Sequence, residues 1–243
     1  MPAVFVHGVP ETPSIWGPLV AELRLDEAVL LQMPGFGCPL PDGFEPTMHR
    51  YATWLADELD AIDEPIDLVV HDWGALLAFG VLGERSHGVR SWVTDAADLG
   101  DDFRWHDMAV LWQTPGDGEA MMESFVGASN DDRAALLTGT GVPGDHAPAM
   151  ASAIDQTMAD AILVLYRSAV DIGTEWGPSI DAIDTPALVL DAVADPFRRA
   201  GLAARLADRL GAQRSELDGS GHWWMLDDPA SAAAAISTFW ASL

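Results

Sequence analysis

The sequence predicts an α/β protein: a mainly parallel sheet with helices on both faces and a short helical cap. Three observations carry that expectation. Short apolar runs alternate with helix-like segments at both ends of the chain, and such alternation builds parallel sheets. The alternation lapses from about residue 98 to residue 184, where the pattern is mostly helical. One apolar run stops abruptly at His71-Asp72-Trp73-Gly74, and a segment rich in small residues (Gly74, Ala75, Ala78, Gly80) follows.

Taken in order, residues 3–7 read as a short buried strand, then a Gly/Pro-rich loop and a helix from about Ile15 to Arg24. Residues 28–33 form a second strand, closed by Pro34-Gly35-Phe36-Gly37. Thr47 is placed to cap a helix running to about Ile62, with Tyr51, Leu55, Leu59 and Ile62 on one face. Strand 66–71, helix 73–84 and strand 89–94 follow. In the lapse, Trp105, Met108, Leu111 and Trp112 fall at helical spacing. Strand 187–190, a helix near Arg198 to Leu210, a short strand near 214–217 and a helix 229–241 close the chain. The expected organisation is a core of residues 1–97 and 185–243 with a helical insertion over 98–184.

A chain of 243 residues, 49% of them apolar, with 22 Gly and 16 Pro, fits one domain with a substantial core. Its formal net charge is −26, and all twelve basic residues are Arg. That balance repels phosphate backbones and argues against nucleic-acid partners. The acids are dispersed in simple pairs such as Asp131-Asp132, as expected of a solvated surface. No apolar run approaches the roughly 20 residues that cross a bilayer. Met1-Pro2-Ala3-Val4-Phe5 lacks the positive start of a signal peptide, so a cytoplasmic location is expected, without a membrane partner. Cys38 stands alone, which excludes an internal disulfide. The seven histidines show no metal-ligand spacing, and neither metal nor cofactor is expected.

The chemistry centres on Asp72. A sharp strand-to-helix turn exposes one reactive side chain, most often Ser within Gly-x-Ser-x-Gly. Here Asp stands at the apex, and Gly-x-Ser-x-Gly occurs nowhere in the chain. A carboxylate attacks saturated carbon and leaves an alkyl-enzyme ester, which water activated by a histidine then hydrolyses. Opening of an epoxide or displacement of a halide fits this; ordinary ester hydrolysis does not. Asp also favours helix N-caps, but the company Asp72 keeps argues for chemistry.

That company is His7-Gly8-Val9-Pro10, Trp16 downstream, and Gly219-Ser220-Gly221-His222 after the short C-terminal strand. Over nearly its whole length the chain resembles the α/β-hydrolase superfamily, in particular its epoxide hydrolase and haloalkane dehalogenase branch. The resemblance implies an α/β-hydrolase fold with Asp72 as nucleophile and His222 as base. It implies Asp195 as the acid that orients the histidine, with Asp95 or Asp98 as rivals. The Val9 and Trp73 amides would form the oxyanion hole. For an epoxide, Tyr166 would assist the ring oxygen, where the family usually supplies two cap tyrosines. For a halide, Trp73 would be one donor, with Trp105, Trp112 or Trp176 as the second.

Departures from the family pattern bear on substrate. Val70 stands where Gly usually precedes His-Asp, the leading antiparallel strands are missing, and the cap is short. No Arg follows Asp72 closely to hold a substrate carboxylate. The sequence therefore points to epoxide hydrolysis of a small apolar substrate, with haloalkane dehalogenation as the alternative. A cofactor-independent lyase or oxygenase, or a noncatalytic ligand-binding relative, is the further alternative. Oligomeric state is not legible.

Overall fold

The computed structural model describes residues 1–25, 27–95, 99–100, 102–197, 199 and 201–243. Six strands are present among them: β1 (Ala3–Val6), β2 (Ala28–Leu31), β3 (Ile66–Val70), β4 (Val89–Thr94), β5 (Ala187–Ala192) and β6 (Gln213–Leu217). They lie in the order β2-β1-β3-β4-β5-β6 and every pairing is parallel. Central strands of such a sheet are covered on both faces, so β1 and β3 are apolar runs rather than alternating ones. At the edge, β6 is polar and half exposed. Its Arg214 pairs with Asp191 of β5 at 3.0 Å.

The connections are helices α1 (Gly17–Leu23), α2 (Met48–Asp60) and α3 (Trp73–Glu84), then α4 (Asp107–Gln113), α5 (Asp117–Gly127), α6 (Asn130–Thr140), α7 (Ala147–Ala153), α8 (Gln156–Ser168) and α9 (Ile172–Trp176). After β5 come α10 (Leu202–Leu210), α11 (Trp224–Asp227) and α12 (Pro229–Ala241). Right-handed crossovers that run in opposite directions along a sheet lie on opposite faces. Accordingly α1 packs with α12, while α2 packs with α3. The chain reverses direction between β1 and β3, and ligand sites of open parallel sheets form at the carboxyl ends of such strands. His7 to Glu11 and His71 to Trp73 leave the sheet there.

Local chemistry explains the helix starts. The Thr47 hydroxyl accepts from the Arg50 amide (3.3 Å), as its sequence position predicts, and Asp155 caps α8 through the Met158 amide (2.9 Å). The first helix differs from the expected span. Pro13–Trp16 forms a 3-10 turn, and the α-helix begins only at Gly17. Likewise α10 begins at Leu202, after Gly201 at φ 81°. Arg198 and Asp98 lie outside the described residues.

Between β4 and β5, helix α8 buries Met158, Ile162, Leu165 and Tyr166. A two-pronged ion pair from Arg167 to Glu119 ties it to α5 (2.6 and 2.7 Å). The Ser168 hydroxyl accepts the Met48 amide (2.8 Å), fastening the end of α8 to the start of α2. Among the described residues, no helix is long and apolar enough to cross a membrane.

Candidate active site

Asp72 sits between β3 and α3 at φ 50° and ψ −117°. A non-glycine residue at positive φ costs about 1–3 kcal/mol, and it persists where its surroundings dictate it. Here the strand ends, the helix starts one residue later, and the Gly74 amide bonds the His71 carbonyl (2.8 Å). Two glycines make room. A Cβ on Gly74 would lie 2.5 Å from the Val6 carbonyl oxygen, and one on Gly8 would lie 2.4 Å from the Asp72 side chain. Although Asp72 occupies the N-cap position of α3, its carboxylate makes no capping bond. Instead Oδ1 accepts the Val9 amide at 2.9 Å. The Trp73 amide, first in its helix, has no intrahelical acceptor.

His7 explains why the Val9 loop approaches so closely. Its Nδ1–H donates to the Gly8 carbonyl (2.9 Å) and its Nε2 accepts the Met33 amide (3.2 Å), which fixes a neutral tautomer. Burial also lowers its pKa, despite nearby Glu11.

Opposite stands His222. Its Nδ1 bonds Asp195 Oδ2 at 3.0 Å, and its Nε2 lies 3.9 Å from Asp72 Oδ2. That gap exceeds a direct hydrogen bond, and one water making two bonds of about 2.8 Å spans it. The second Asp195 oxygen accepts the Phe197 amide (2.7 Å), and the Ala194 amide reaches the Ser220 carbonyl (2.9 Å), so the two loops brace each other. Burial raises the Asp72 pKa, with His222 and His71 pulling it partly back. Burial and His71 push His222 down, but Asp195 and Asp72 outweigh them and leave it raised. Burial opposes ionisation of Asp195, yet bonding to His222 holds its carboxyl below the usual range.

A cavity of about 630 Å³ opens over these groups, lined mainly by apolar side chains including Met108, Met121, Phe125 and Leu137. Asp72, Asp195, His222, Val9, Tyr166, Trp105 and Trp112 all border it. Tyr166 is buried, and burial with the nearby Asp72 charge holds its phenol well above the ordinary value. It therefore stays protonated. Trp73 lies edge-on to Tyr166 (5.2 Å between centroids) and stacks on Trp105 (5.7 Å). Its buried indole N–H makes no well-formed hydrogen bond among the described residues, although it interacts with the Tyr166 phenol and holds back the rise in its pKa.

The other expected indole donors are spoken for. Trp105 donates to the Ala169 carbonyl (3.0 Å), and Trp112 points at the Met121 sulfur (3.0 Å). Trp176 does not reach the cavity: its ring lies against α3 at Gly80, where an added Cβ would come within 3.0 Å, with His49 at its edge. Trp176 lies in the segment where the resemblance expects cap donors, but its ring packs on α3 instead. His106 is a lining residue that the sequence reading passed over. Its Nδ1 accepts the Ala109 amide (3.2 Å) and burial lowers its pKa, so its remaining proton sits on Nε2.

A second polar cluster lies beneath. Glu11, fully buried, accepts the Gly8 amide on Oε2 (2.7 Å) and both the Trp223 indole (2.7 Å) and His71 Nε2 (3.1 Å) on Oε1. His71 Nδ1 bonds Asp95, which also takes the Trp224 indole (3.3 Å). Asp95, a rival for the acid opposite His222, thus serves His71 instead. Burial works against the Glu11 carboxylate, but His71 brings its pKa down to about 2. The donor atoms of Glu11, His71 and His222 lie within 4.8 Å of one another, the one metal-like trio among the described residues. Its Glu11 and His71 atoms are already engaged in hydrogen bonds. The sequence signal for this cluster was slight: Glu after Gly-Val-Pro, His before Asp72, and two tryptophans after His222.

A model of the alpha/beta hydrolase family matches residues 3–236, nearly the whole chain. The chain belongs to the alpha/beta hydrolase family. Among solved structures, this hydrolase is similar to the haloalkane dehalogenase DbeA from Bradyrhizobium elkani USDA94, at 21% identity and TM-score 0.75 over 99% of this chain and 91% of that one. It is similar to a variant of a provisionally assigned epoxide hydrolase from Pseudomonas aeruginosa, at 19% and 0.79 over 99% and 88%. It also resembles the thioesterase domain from the curacin biosynthetic pathway, at 16% and 0.72 over 98% and 90%. Identities this low establish a shared fold. No curated protein matches the sequence.

Proposed function

We propose that this alpha/beta hydrolase opens epoxides on neutral, apolar substrates through an ester on Asp72. The segment 98–184 acts as the cap, and residues 1–97 with 185–243 as the catalytic core. The free Asp72 oxygen, Oδ2, attacks a ring carbon; the carbon–oxygen bond breaks, and the oxygen takes the Tyr166 phenol proton as its electrons depart. His222 then removes a proton from water, and the hydroxide adds to the Asp72 carboxyl carbon. The charge that develops on Oδ1 meets the Val9 and Trp73 amides. The acyl–oxygen bond breaks, the departing oxygen takes the proton of the new Asp72 carboxyl, the diol leaves, and the proton on His222 returns to the tyrosine.

The observation that carries this reading is the Asp72 carboxylate itself: strained, released from capping, and bound on one oxygen only by the Val9 amide (2.9 Å). Tyr166 favours a ring oxygen as leaving group, since a phenol in the cavity donates a proton that halide departure does not need. One observation favours the second reading, haloalkane dehalogenation. The Trp73 indole N–H is buried with no well-formed hydrogen bond and lies beside the Tyr166 phenol, as a halide cradle would require, though Trp105 adds no second free indole.

A panel of terminal and aromatic epoxides and of chloro- and bromoalkanes distinguishes the two, with diol and released halide measured together. We expect diol, and a Tyr166→Phe enzyme slowed about 10–100-fold, the worth of one hydrogen bond to developing charge. Halide release without diol, unaffected by Tyr166→Phe, selects dehalogenation instead.

A further inference from the structure

We infer that Glu11, His71 and Asp95 form a buried carboxylate–imidazolium–carboxylate unit whose imidazolium, set behind the reacting groups, favours the Asp72 anion and opposes a proton on His222, while its carboxylates pull the other way. The catalytic consequence rests on the function proposed above; the charge state does not.

The hydrogen bonds around His71 indicate its charge. Both ring nitrogens of His71 face carboxylate oxygens, Asp95 at Nδ1 and Glu11 at Nε2 (3.1 Å). A neutral imidazole carries one N–H and would aim a lone pair at the other oxygen. A protonated Glu11 could donate to that lone pair, but the Gly8 and Trp223 N–H groups stabilise its anion and its pKa is brought down to about 2, so Glu11 is ionised. Asp95 in turn receives the Trp224 indole. Two N–H groups on His71 satisfy every contact. The ring is fully buried, with Trp16 and Trp224 edge-on at 6.5 and 6.2 Å. Burial alone pushes the imidazole down, and Glu11 with Asp95 carries it well above the ordinary value.

The position of this charge gives it consequence. The His71 ring centroid lies 4.5 Å from that of His222, and His71 directly precedes Asp72. The titratable groups that face it are Glu11 and His7 from the loop after β1, Asp95 after β4, Asp72 at the elbow, and Asp195 and His222 from the last two loops. His7 is held neutral by its own bonds. Among these groups His71 is the fixed cation. It opposes a second positive charge on His222 and favours the Asp72 anion. Glu11 also fastens three loops together, through Gly8, His71 and Trp223, so these are positioning residues.

The test is an NMR titration of the full chain with 15N-labelled histidine, free of substrate. In the unmodified protein His71 should show two protonated ring nitrogens from about pH 5 to 9, across the usual histidine range. In Asp95→Asn, His71 should titrate inside that interval, and the His222 midpoint should rise as the nearer cation is lost, by less than about one unit because a carboxylate is lost as well. The acid limb of Asp72-ester hydrolysis should move upward with it. A single protonated nitrogen on His71 at neutral pH overturns the inference, and needs no variant to be seen. So does a His222 midpoint that stays put after His71 has lost its charge. A doubly protonated His71 with no ester formed from any substrate would leave this unit standing and remove the proposed function.

Discussion

Held at φ 50° with a buried carboxylate, Asp72 is unfavourable twice over: in its backbone and in its charge. Sites built for chemistry commonly carry such strain at the expense of stability. The sign follows from the raised pKa. A carboxyl that ionises less readily when folded costs stability at neutral pH, and that cost fades as pH falls through the raised value toward the ordinary 3.8. Asp72→Asn should therefore abolish turnover while raising Tm at pH 7, by about 2–4 °C for each kcal/mol relieved. Calorimetry from pH 7 down to 4 should show the gain shrinking; a variant less stable at pH 7 contradicts it. Glu11 has the opposite sign. Its carboxyl, lowered from 4.5 to about 2, stabilises the fold above the first value and loses that contribution between the two. Asp72, His222 and Asp195 were legible in the sequence because each sits in a short contiguous motif beside a strand end. Glu11, His71 and Asp95 were not read as a unit, because their pairing exists only once three separated loops converge.

At the level of elements, the turn from β3 into α3 depends on what is absent from Gly74 and Gly8. Gly74 permits α3 to start against the carbonyls of Val6 and His7, which a Cβ would approach to 2.5 and 3.0 Å. Neither neighbour is a flexible side-chain end, so the helix must shift. Gly74→Ala should lose about 1–3 kcal/mol, the usual cost of overpacking, as read by urea unfolding. An unchanged midpoint would show that the helix start tolerates displacement. The strands and most helices were legible because their apolar periods are strong. Less legible were starts decided by backbone conformation, at Gly17 and Leu202, and ring directions such as that of Trp176. Helical spacing says which residues share a face, and the neighbouring element decides what that face meets.

The whole molecule carries a formal charge of −26 with twelve cations to offset its acids. Several arginines are gathered into pairs: Arg167 with Glu119, Arg205 with Asp102, Arg209 with Asp181 and Arg214 with Asp191. The remaining acids repel one another across the surface, and salt screens that repulsion within about 10 Å at 0.1 M. Raising sodium chloride from 10 to about 300 mM should therefore raise Tm by several degrees. A Tm that falls with salt would mean that ion pairs outweigh repulsion. Composition made the charge legible but not the cavity, whose 630 Å³ depends on how the helices between β4 and β5 seat over the sheet.

The proposed two-step chemistry stands or falls on the Asp72 ester. Incubate His222→Gln, which keeps Asp72 but lacks the base, with a terminal epoxide, and measure intact mass followed by peptide mapping. The expected result is one added substrate mass on the peptide containing Asp72, accumulating in the variant and transient in the unmodified enzyme, with ester hydrolysis slowed about 10²–10⁴-fold. Diol produced at undiminished rate with no mass added to that peptide would contradict it.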